Sequence, residues 1–584
     1  MERKYYTAER NVQIVISLLK ANGIKRVIAS PGTTNMTFVG SIQQDPFFEI
    51  YSSVDERSAA YIACGMAAET GEPVVLSCTG ATASRNYMPG LTEAYYRKLP
   101  ILAITSHRGD YQIGHLIDQQ IDRRSLPNDI AIEHVVLPLV KGRNDEKYCT
   151  IEANKAVLAL KLNGGGPVHI NMFTEYNPDF SIKELPPVRV IHRHTEENNL
   201  PEIKGNGHVA IFVGSHRTFS EEETLAIDSF CATHNAVVFC DQTSNFYGKY
   251  AVHMSLPFSQ ENWISQLKNV ELLIHIGEVT GDVYRMIPQK VWRVSEDGAL
   301  RDSFGSLTDV FMMEELAFFT HYSIIGSNRD DYLKSCQKEY LSLINSIPEL
   351  PFSNIWIAQQ MASKIPKGSD VHLGIYNSLR SWNFFELPKG VTAKSNVGGF
   401  GIDGGVSTLM GAAMASPQKL LFGIFGDLAF FYDMNVLGNR HVENNVRLLL
   451  INNGKGNEFR LYCHPCRIFG EDAEPYMAAA GHYGNKSPKL VKHYAEDLGY
   501  DYLCASNKEE FNSAMEVFCQ PLSYNQKSIV FEVFTDTDSE SEALRAIRSI
   551  KTEASYVFKN KIKKSVRDMI GKNGFETIKK VLCK

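Results

Sequence analysis

Two apolar runs end on residues able to hold a metal and a phosphate. LLFGIFGD closes on Gly426 and Asp427, and RLLLINN closes on Asn452 and Asn453. The segment between them is helix-like, so the whole reads as one strand-helix-strand crossover with both strand ends at the carboxyl edge of a parallel sheet. Mg²⁺ wants oxygens in near-octahedral geometry and favours few protein ligands plus phosphate and water. Asp427 supplies charge, Asn453 a neutral carbonyl oxygen, and the GKGN turn can add the backbone carbonyl of Lys455. Gly426 lets a diphosphate approach the backbone, and the following helix start offers free N–H groups. The same residues also describe a plain strand-end turn with a capping aspartate.

A second acid stands at a similar junction. The strand-like IYSSV is followed by DERSAAYIACGMA, which puts Glu56 where a strand gives way to a helix. A lone acid there is ordinarily a helix-start charge favoured by the dipole. The motif CHPC, Cys463 to Cys466, follows the asparagine pair. It suits a redox pair or half a zinc site, but no second pair follows at zinc-like spacing. The expectation is a mobile loop with free thiols, placed as a flap over a site built on Asn453, where oxidation would alter activity.

These residues need sheets to position them. Near the N-terminus a helix at Ala8–Asn22 and the strands VIASPG, PVVLSCTG and LPILAITS alternate with helical stretches, the pattern of a parallel α/β sheet. A second α/β block holds HVAIFVGSHR, AVVFCDQTS and VELLIHIGE, preceded by a polar stretch, VIHRHTEENNLPEIKGNG, that reads as a linker. A third holds LLFGIFGD, RLLLINN and SIVFEVFT. At 584 residues the chain exceeds one core, and 44% hydrophobic with 22% charged residues is ordinary for a globular protein. The expected division is residues 1–188, 189–348 and 349–540 as three consecutive α/β domains, with 541–584 as a helical tail. From Lys551 to Lys584 that tail has ten Lys or Arg against three Asp or Glu. It suits either an arm for a membrane surface or partner, or a solvated helix docked on its own protein.

A net charge of −6 argues against general nucleic-acid binding. Eleven cysteines, mostly single in apolar runs, fit reduced thiols. The start MERKYYTAERNVQIV has no signal-peptide core, and no run of about 18 apolar residues follows, so the expected location is the cytoplasm.

Taken in order, SPGTTN, VDERSAAYIACGMA, LSCTGATASRNYMPGLTEAYYRKLPILAITS, SNVGGFGIDGGVSTLMGAA, GDLAFFYDMN and LLLINNGKGNEF resemble the thiamine diphosphate-dependent 2-oxo acid decarboxylases and carboligases. Within that superfamily the sequence is most similar to the menaquinone-pathway synthases, over roughly residues 8 to 540. The resemblance implies a pyrimidine-binding domain, a central domain and a diphosphate-binding domain, with thiamine diphosphate and Mg²⁺ as cofactors. FAD in the central domain stays open. A homodimer or homotetramer with active sites between subunits is implied, as are a 2-oxo acid donor and an acceptor.

The resemblance also assigns roles. Glu56 hydrogen-bonds the far pyrimidine nitrogen and promotes the imino form of that ring, which removes the thiazolium proton. Ile402 props the cofactor into its bent shape. Pro31, Gly32, Gly401, Gly426, Asp427, Leu428 and Asn453 contact the cofactor, and Asp427, Asn453 and the Lys455 carbonyl hold the metal. His115 and Gln119 join Glu56 as catalytic candidates, matching or neighbouring positions that line the pocket in relatives, with His115 standing where those relatives have glutamine. His107, Arg108, Thr34, Ser378 and Arg380 match or neighbour pocket positions. A histidine there can shuttle protons near neutral pH; a surface or structurally satisfied histidine is the alternative for His107 and His115.

Some charges of the menaquinone-pathway family are missing. Its members place Arg or Lys where this chain has Thr34, Trp382, Val397 and the Asp282-Val283 pair, to hold the isochorismate dianion and the distal carboxylate of 2-oxoglutarate. Charged hydrogen bonds of this kind are worth about 1.5–3 kcal/mol each. The expectation is therefore that this chain is not such a synthase, and that it takes a smaller or less acidic, pyruvate-like donor and another acceptor. A catalytically silent cofactor-binding scaffold is the alternative from another class.

Overall fold

The computed structural model describes residues 4–195, 199–205, 207–281, 286–324, 326, 328–484, 486–523 and 527–553. The chain divides into two compact units, residues 1–200 with 297–312, and residues 201–296 with 313–584.

In the first unit, β1 (Arg26–Ala29), β2 (Glu49–Ser52), β3 (Val74–Thr79), β4 (Ile101–His107), β5 (Glu133–Leu137) and β6 (Val168–Phe173) form one parallel sheet. Its order is β2-β1-β3-β4-β6-β5. Alternate residues feed two cores: Val27, Val75, Leu102 and Ile170 on one face, Ile28, Leu76 and Ala103 on the other. A sheet covered on both faces needs such continuous apolar runs. The expected N-terminal helix is Arg10–Ala21, with eight buried residues. The polar stretch expected as a linker carries a strand instead. β7 (His192–His194) pairs in parallel with β13 (Leu307–Phe311), and His194 Nε2 meets Asp309 Oδ1 at 2.8 Å. Three residues are too few to print a periodicity, so composition alone misled.

The second unit contains two sets of parallel strands. β8 (Val209–Val213), β9 (Val237–Phe239), β10 (Ala251–Val252), β11 (Asn269–Ile276) and β12 (Ile287–Val294) run in the order β10-β9-β8-β11-β12. β14 (Asp370–Leu373), β15 (Thr392–Lys394), β16 (Leu421–Gly426), β17 (Val446–Asn452), β18 (Asp501–Ala505) and β19 (Ile529–Phe534) form a sheet of order β15-β14-β16-β17-β19-β18. Phe422, Ile424, Leu449 and Ile451 face one core, and Leu421, Phe425, Leu448 and Leu450 the other. The two sets are tied together at Gln242, whose N–H donates to Asn383 Oδ1 at 3.0 Å and whose side-chain amide donates to the carbonyl of Trp382 at 3.2 Å. This fixes the helix Asn377–Trp382, which carries Ser378.

Three parallel sheets with crossover helices are the fold expected from the sequence. The helix Thr537–Arg548 runs through the position where the tail was expected to begin. Residues 551–552 lie against the same unit: Lys551 N–H donates to Gln260 Oε1 at 3.2 Å, and its ammonium stands 4.3 Å over the Trp263 ring. The rest of the basic tail, from residue 554, is outside the described residues.

Candidate active site

The register β16–β17 sets Gly426 opposite Ile451. Asp427 therefore stands beside Asn452 and Asn453 at the carboxyl edge, as the crossover argument required. The asparagine pair divides its work. Asn452 turns into the fold, donating to Glu532 Oε1 at 2.6 Å and accepting from Gly454 N–H at 3.1 Å. Asn453 lines a cavity of about 320 Å³, and its Oδ1 is buried with no donor.

Asp427 is buried. Its Oδ1 accepts from Leu428 N–H at 2.8 Å, and its Oδ2 from Gly454 and Lys455 N–H at 2.6 and 3.1 Å. Burial pushes its carboxyl up to about 6, against the pull of those backbone donors. A nearby cation would hold the charged form. Gly454, at φ +78, supplies the left-handed corner that turns the 453–455 backbone onto the carboxylate. The Lys455 ammonium is occupied by Glu474 Oε1 at 2.6 Å, so this residue offers the site its backbone.

The donor set fits a hard cation with a diphosphate. An anionic carboxyl and an orphaned amide oxygen share one wall, and open space lies above Gly426, where a side chain would stand. Leu428, Ile402 and Ser378 line the same cavity. Gly401 lies beside Ile402 on a smaller adjoining pocket. Tyr376, also in the wall, holds φ +61, an uncommon backbone state for a bulky residue. Arg380 lines a second, smaller pocket and is not among the residues lining the large cavity; its guanidinium meets Glu458 Oε1 at 2.6 Å and stacks 5.2 Å over the Tyr376 ring.

The remaining expected residues are in the first unit. Glu56 opens the helix Glu56–Thr70, with Asp55 as the cap, accepting from Arg57 and Ser58 N–H. Asn86 Nδ2 reaches Glu56 Oε2 at 3.4 Å. Pro31 and Gly32 are exposed just beyond β1, and Thr34 is buried. A Cβ on Gly32 would fall 1.9 Å from Thr79 Cγ2, so only glycine fits there. Arg108 bonds the backbone carbonyl of Asp118 and pairs with its carboxylate at 3.4 Å. His115 and Gln119 are exposed. His107 is buried and meets Asn171 Nδ2 at 2.9 Å. Burial, then the charge of Arg123, pushes it down to about 4, so it is a neutral structural histidine.

Among the acids and histidines of the cavity, three escaped sequence reasoning. Glu540 is a buried acid that accepts from Asn354 N–H at 3.0 Å, and burial pushes its carboxyl up to about 7. Glu458 and His464 complete the set. Glu540 lies in an acid-rich, surface-like stretch, TDTDSESEA, that gave no signal. His464 sits inside CHPC, which places that motif at the cavity wall. Cys463 is exposed and Cys466 partly so. Among the described residues, no group of three or more His, Cys, Asp or Glu could hold a metal there.

Residues 10–126 match the model of the thiamine pyrophosphate enzyme N-terminal TPP binding domain. The chain is 28% identical over 575 residues to the 2-succinyl-5-enolpyruvyl-6-hydroxy-3-cyclohexene-1-carboxylate synthase of Bacteroides thetaiotaomicron, covering 92% of this chain and 98% of that one. It is 29% identical over 562 residues to the synthase of the same name from Phocaeicola vulgatus, with the same coverage. For the one from Flavobacterium johnsoniae the identity is 27% over 556 residues, covering 90% and 96%. Residues 10–126 are thus similar to the N-terminal domain of thiamine pyrophosphate enzymes, and along nine-tenths of its length the chain is similar to these synthases.

Proposed function

We propose that this protein binds thiamine diphosphate with Mg²⁺, decarboxylates a 2-oxo acid and passes the remaining acyl unit to an acceptor. The observation that carries the proposal is the Asp427–Asn453 wall, where a buried carboxylate and an unpartnered amide oxygen share one cavity. Bound there, the cofactor would supply a nucleophilic carbon and an electron sink. Asp427 and Asn453 would hold the metal, and the Lys455 carbonyl would join them. Gly426 and Leu428 would admit the diphosphate, and Ile402 would set the bend between the rings. Glu56 would hold a proton at a pyrimidine nitrogen. Ser378 would face the substrate from the cavity, and Arg108, His115 and Gln119 would face it from the first unit of a second copy, as an active site between subunits requires.

Exposed Tyr51, Val54, Tyr61 and Ile62 around Glu56 support a homo-oligomer with this face covered by a second copy. Among the described residues no helix is long and apolar enough to cross a membrane, which agrees with the proposed cytoplasmic location. For FAD the comparisons add no support.

For the substrates, the relatives' names favour the synthase reaction over the broader reading. The first pair to test is therefore 2-oxoglutarate with isochorismate. The second reading, a smaller and less acidic donor, rests on a specific observation. Thr34, Trp382 and Val397, which stand where the resembling synthases carry charges, are buried, and Arg380 is held by Glu458. Asp282 and Val283 lie outside the described residues. A screen of 2-oxo acids for CO₂ release, with and without isochorismate or aldehyde acceptors, separates the readings. Efficient succinyl transfer to isochorismate establishes the first; turnover of pyruvate with 2-oxoglutarate inert establishes the second. Failure of every 2-oxo acid, with cofactor bound, would leave the silent scaffold.

A further inference from the structure

The first unit contains a charge that the proposed reaction does not use. Arg123 is buried. Its two terminal nitrogens donate at 2.8 Å to neutral acceptors, Thr105 Oγ1 and Asn171 Oδ1. Among the described residues no carboxylate comes within ion-pair reach of it, and Asp110 acts on it only at longer range. The groups behind those acceptors are imidazoles. Thr105 Oγ1 meets His169 at 2.7 Å, His169 meets His134 at 2.9 Å, and Asn171 meets His107 at 2.9 Å. Burial holds all three histidines toward the neutral form. The network therefore carries one buried positive charge with no carboxylate paired to it directly; the nearest, Asp110, touches only the rim of the network, at 3.8 Å from His107 Nε2, and a buried charge without a direct partner is expensive unless something pairs with it.

The fold makes room for this guanidinium. A Cβ on Gly80 would stand 2.8 Å from Arg123 Nη2, so glycine at the end of β3 is what admits it. Beside Arg123 is a cavity of about 140 Å³. Its other polar lining includes Ser84, Ser125 and Arg85, the last exposed at the wall and bonded to the Asp122 carbonyl at 3.0 Å. The rest is largely apolar, including Met88, Leu91 and Ile130. An apolar cavity of about 150 Å³ is large enough for benzene. Arginine pairs with carboxylates through charge-assisted, often bidentate hydrogen bonds.

We propose that this cavity is a binding site for a small carboxylic acid with an apolar, benzene-sized body, whose carboxylate pairs with Arg123. Benzoate is the probe, and benzamide is its uncharged counterpart of the same shape. Calorimetry on the full-length chain, with thiamine diphosphate and Mg²⁺ present to occupy the Asp427 cavity, should show one benzoate per chain. Benzamide should bind at least tenfold more weakly. Arg123→Gln should lose at least tenfold for benzoate. Ser125→Trp, a change at an exposed wall position that leaves Arg123 untouched, should lose as much and decides the matter if Arg123→Gln does not fold. No saturable benzoate binding to the unaltered chain overturns the proposal. So does equal affinity for benzamide, or wild-type affinity in the folded variants.

Discussion

Asp427 and Glu56 occupy the same kind of place, the first residue of a helix that follows a parallel strand, and the fold treats them in opposite ways. Asp427 is buried and held by three backbone N–H groups, two of them brought by the 453–455 turn. Glu56 is only partly covered. Its neighbour Asp55 does the capping, and its own carboxyl has one long contact, from Asn86. A strand-end acid is thus not one motif but two. One is built to hold charge inside its own unit, and the other is left free to meet a ligand. In the proposed mechanism the first anchors the metal and the second handles a proton.

The largest effect should come from Asp427. Replacing it with alanine removes the charged ligand and three hydrogen bonds, and Mg²⁺-dependent cofactor affinity should fall more than about 100-fold by calorimetry, on a scale of about 1.5–3 kcal/mol per charged bond. Unchanged affinity would remove Asp427 from the metal site. Glu56→Gln should do the reverse: cofactor affinity stays within a few-fold, while thiazolium proton exchange, followed by NMR, slows by about 10²–10⁴. Wild-type exchange would mean that Glu56 has been given the wrong role.

Glu540 sharpens the contrast from the buried side. Its folded carboxyl is raised from an ordinary 4.5 to about 7. Below about 4.5 both folded and unfolded forms are protonated, and the group is silent. As pH rises toward 7 the unfolded chain ionises first, so stability falls, by up to about 3 kcal/mol once both are ionised. Denaturant unfolding at a series of pH values should show this decline, and Glu540→Gln should flatten it. An equal decline in the variant would assign it to other groups.

The smallest effect concerns the loop after β1. Gly32→Ala drives a methyl into Thr79 Cγ2 and should cost about 1–3 kcal/mol. Adding Thr79→Ser removes that methyl and should restore most of the loss. No rescue in thermal melts would show that the Gly32 contact is not what limits substitution.

The sequence made some of this legible for definite reasons. β3, β4, β16 and β17 are long apolar runs, so their ends, and with them Gly426, Asp427 and Asn453, could be placed by eye. β7, β14 and β15 are only three or four residues each, too short to carry a period. What the sequence could not show is why Asn453 and not Asn452 faces the cavity: Glu532 captures Asn452 from a strand 80 residues away. Glu540 reads as one more surface acid until Asn354 closes over it. The same holds for Arg123, whose partners come from β4 and β6.

The proposed function requires that the Asp427–Asn453 wall bind a metal-bridged diphosphate. The direct measurement is a calorimetric titration of the unaltered protein with thiamine diphosphate, once with Mg²⁺ and once with EDTA. Saturation at one cofactor per chain with Mg²⁺, and a loss of affinity of at least about tenfold without it, is the predicted result, since hard-cation sites of this kind bridge carboxylate to phosphate. Equal affinity in EDTA, or no saturable binding in either titration, would contradict it.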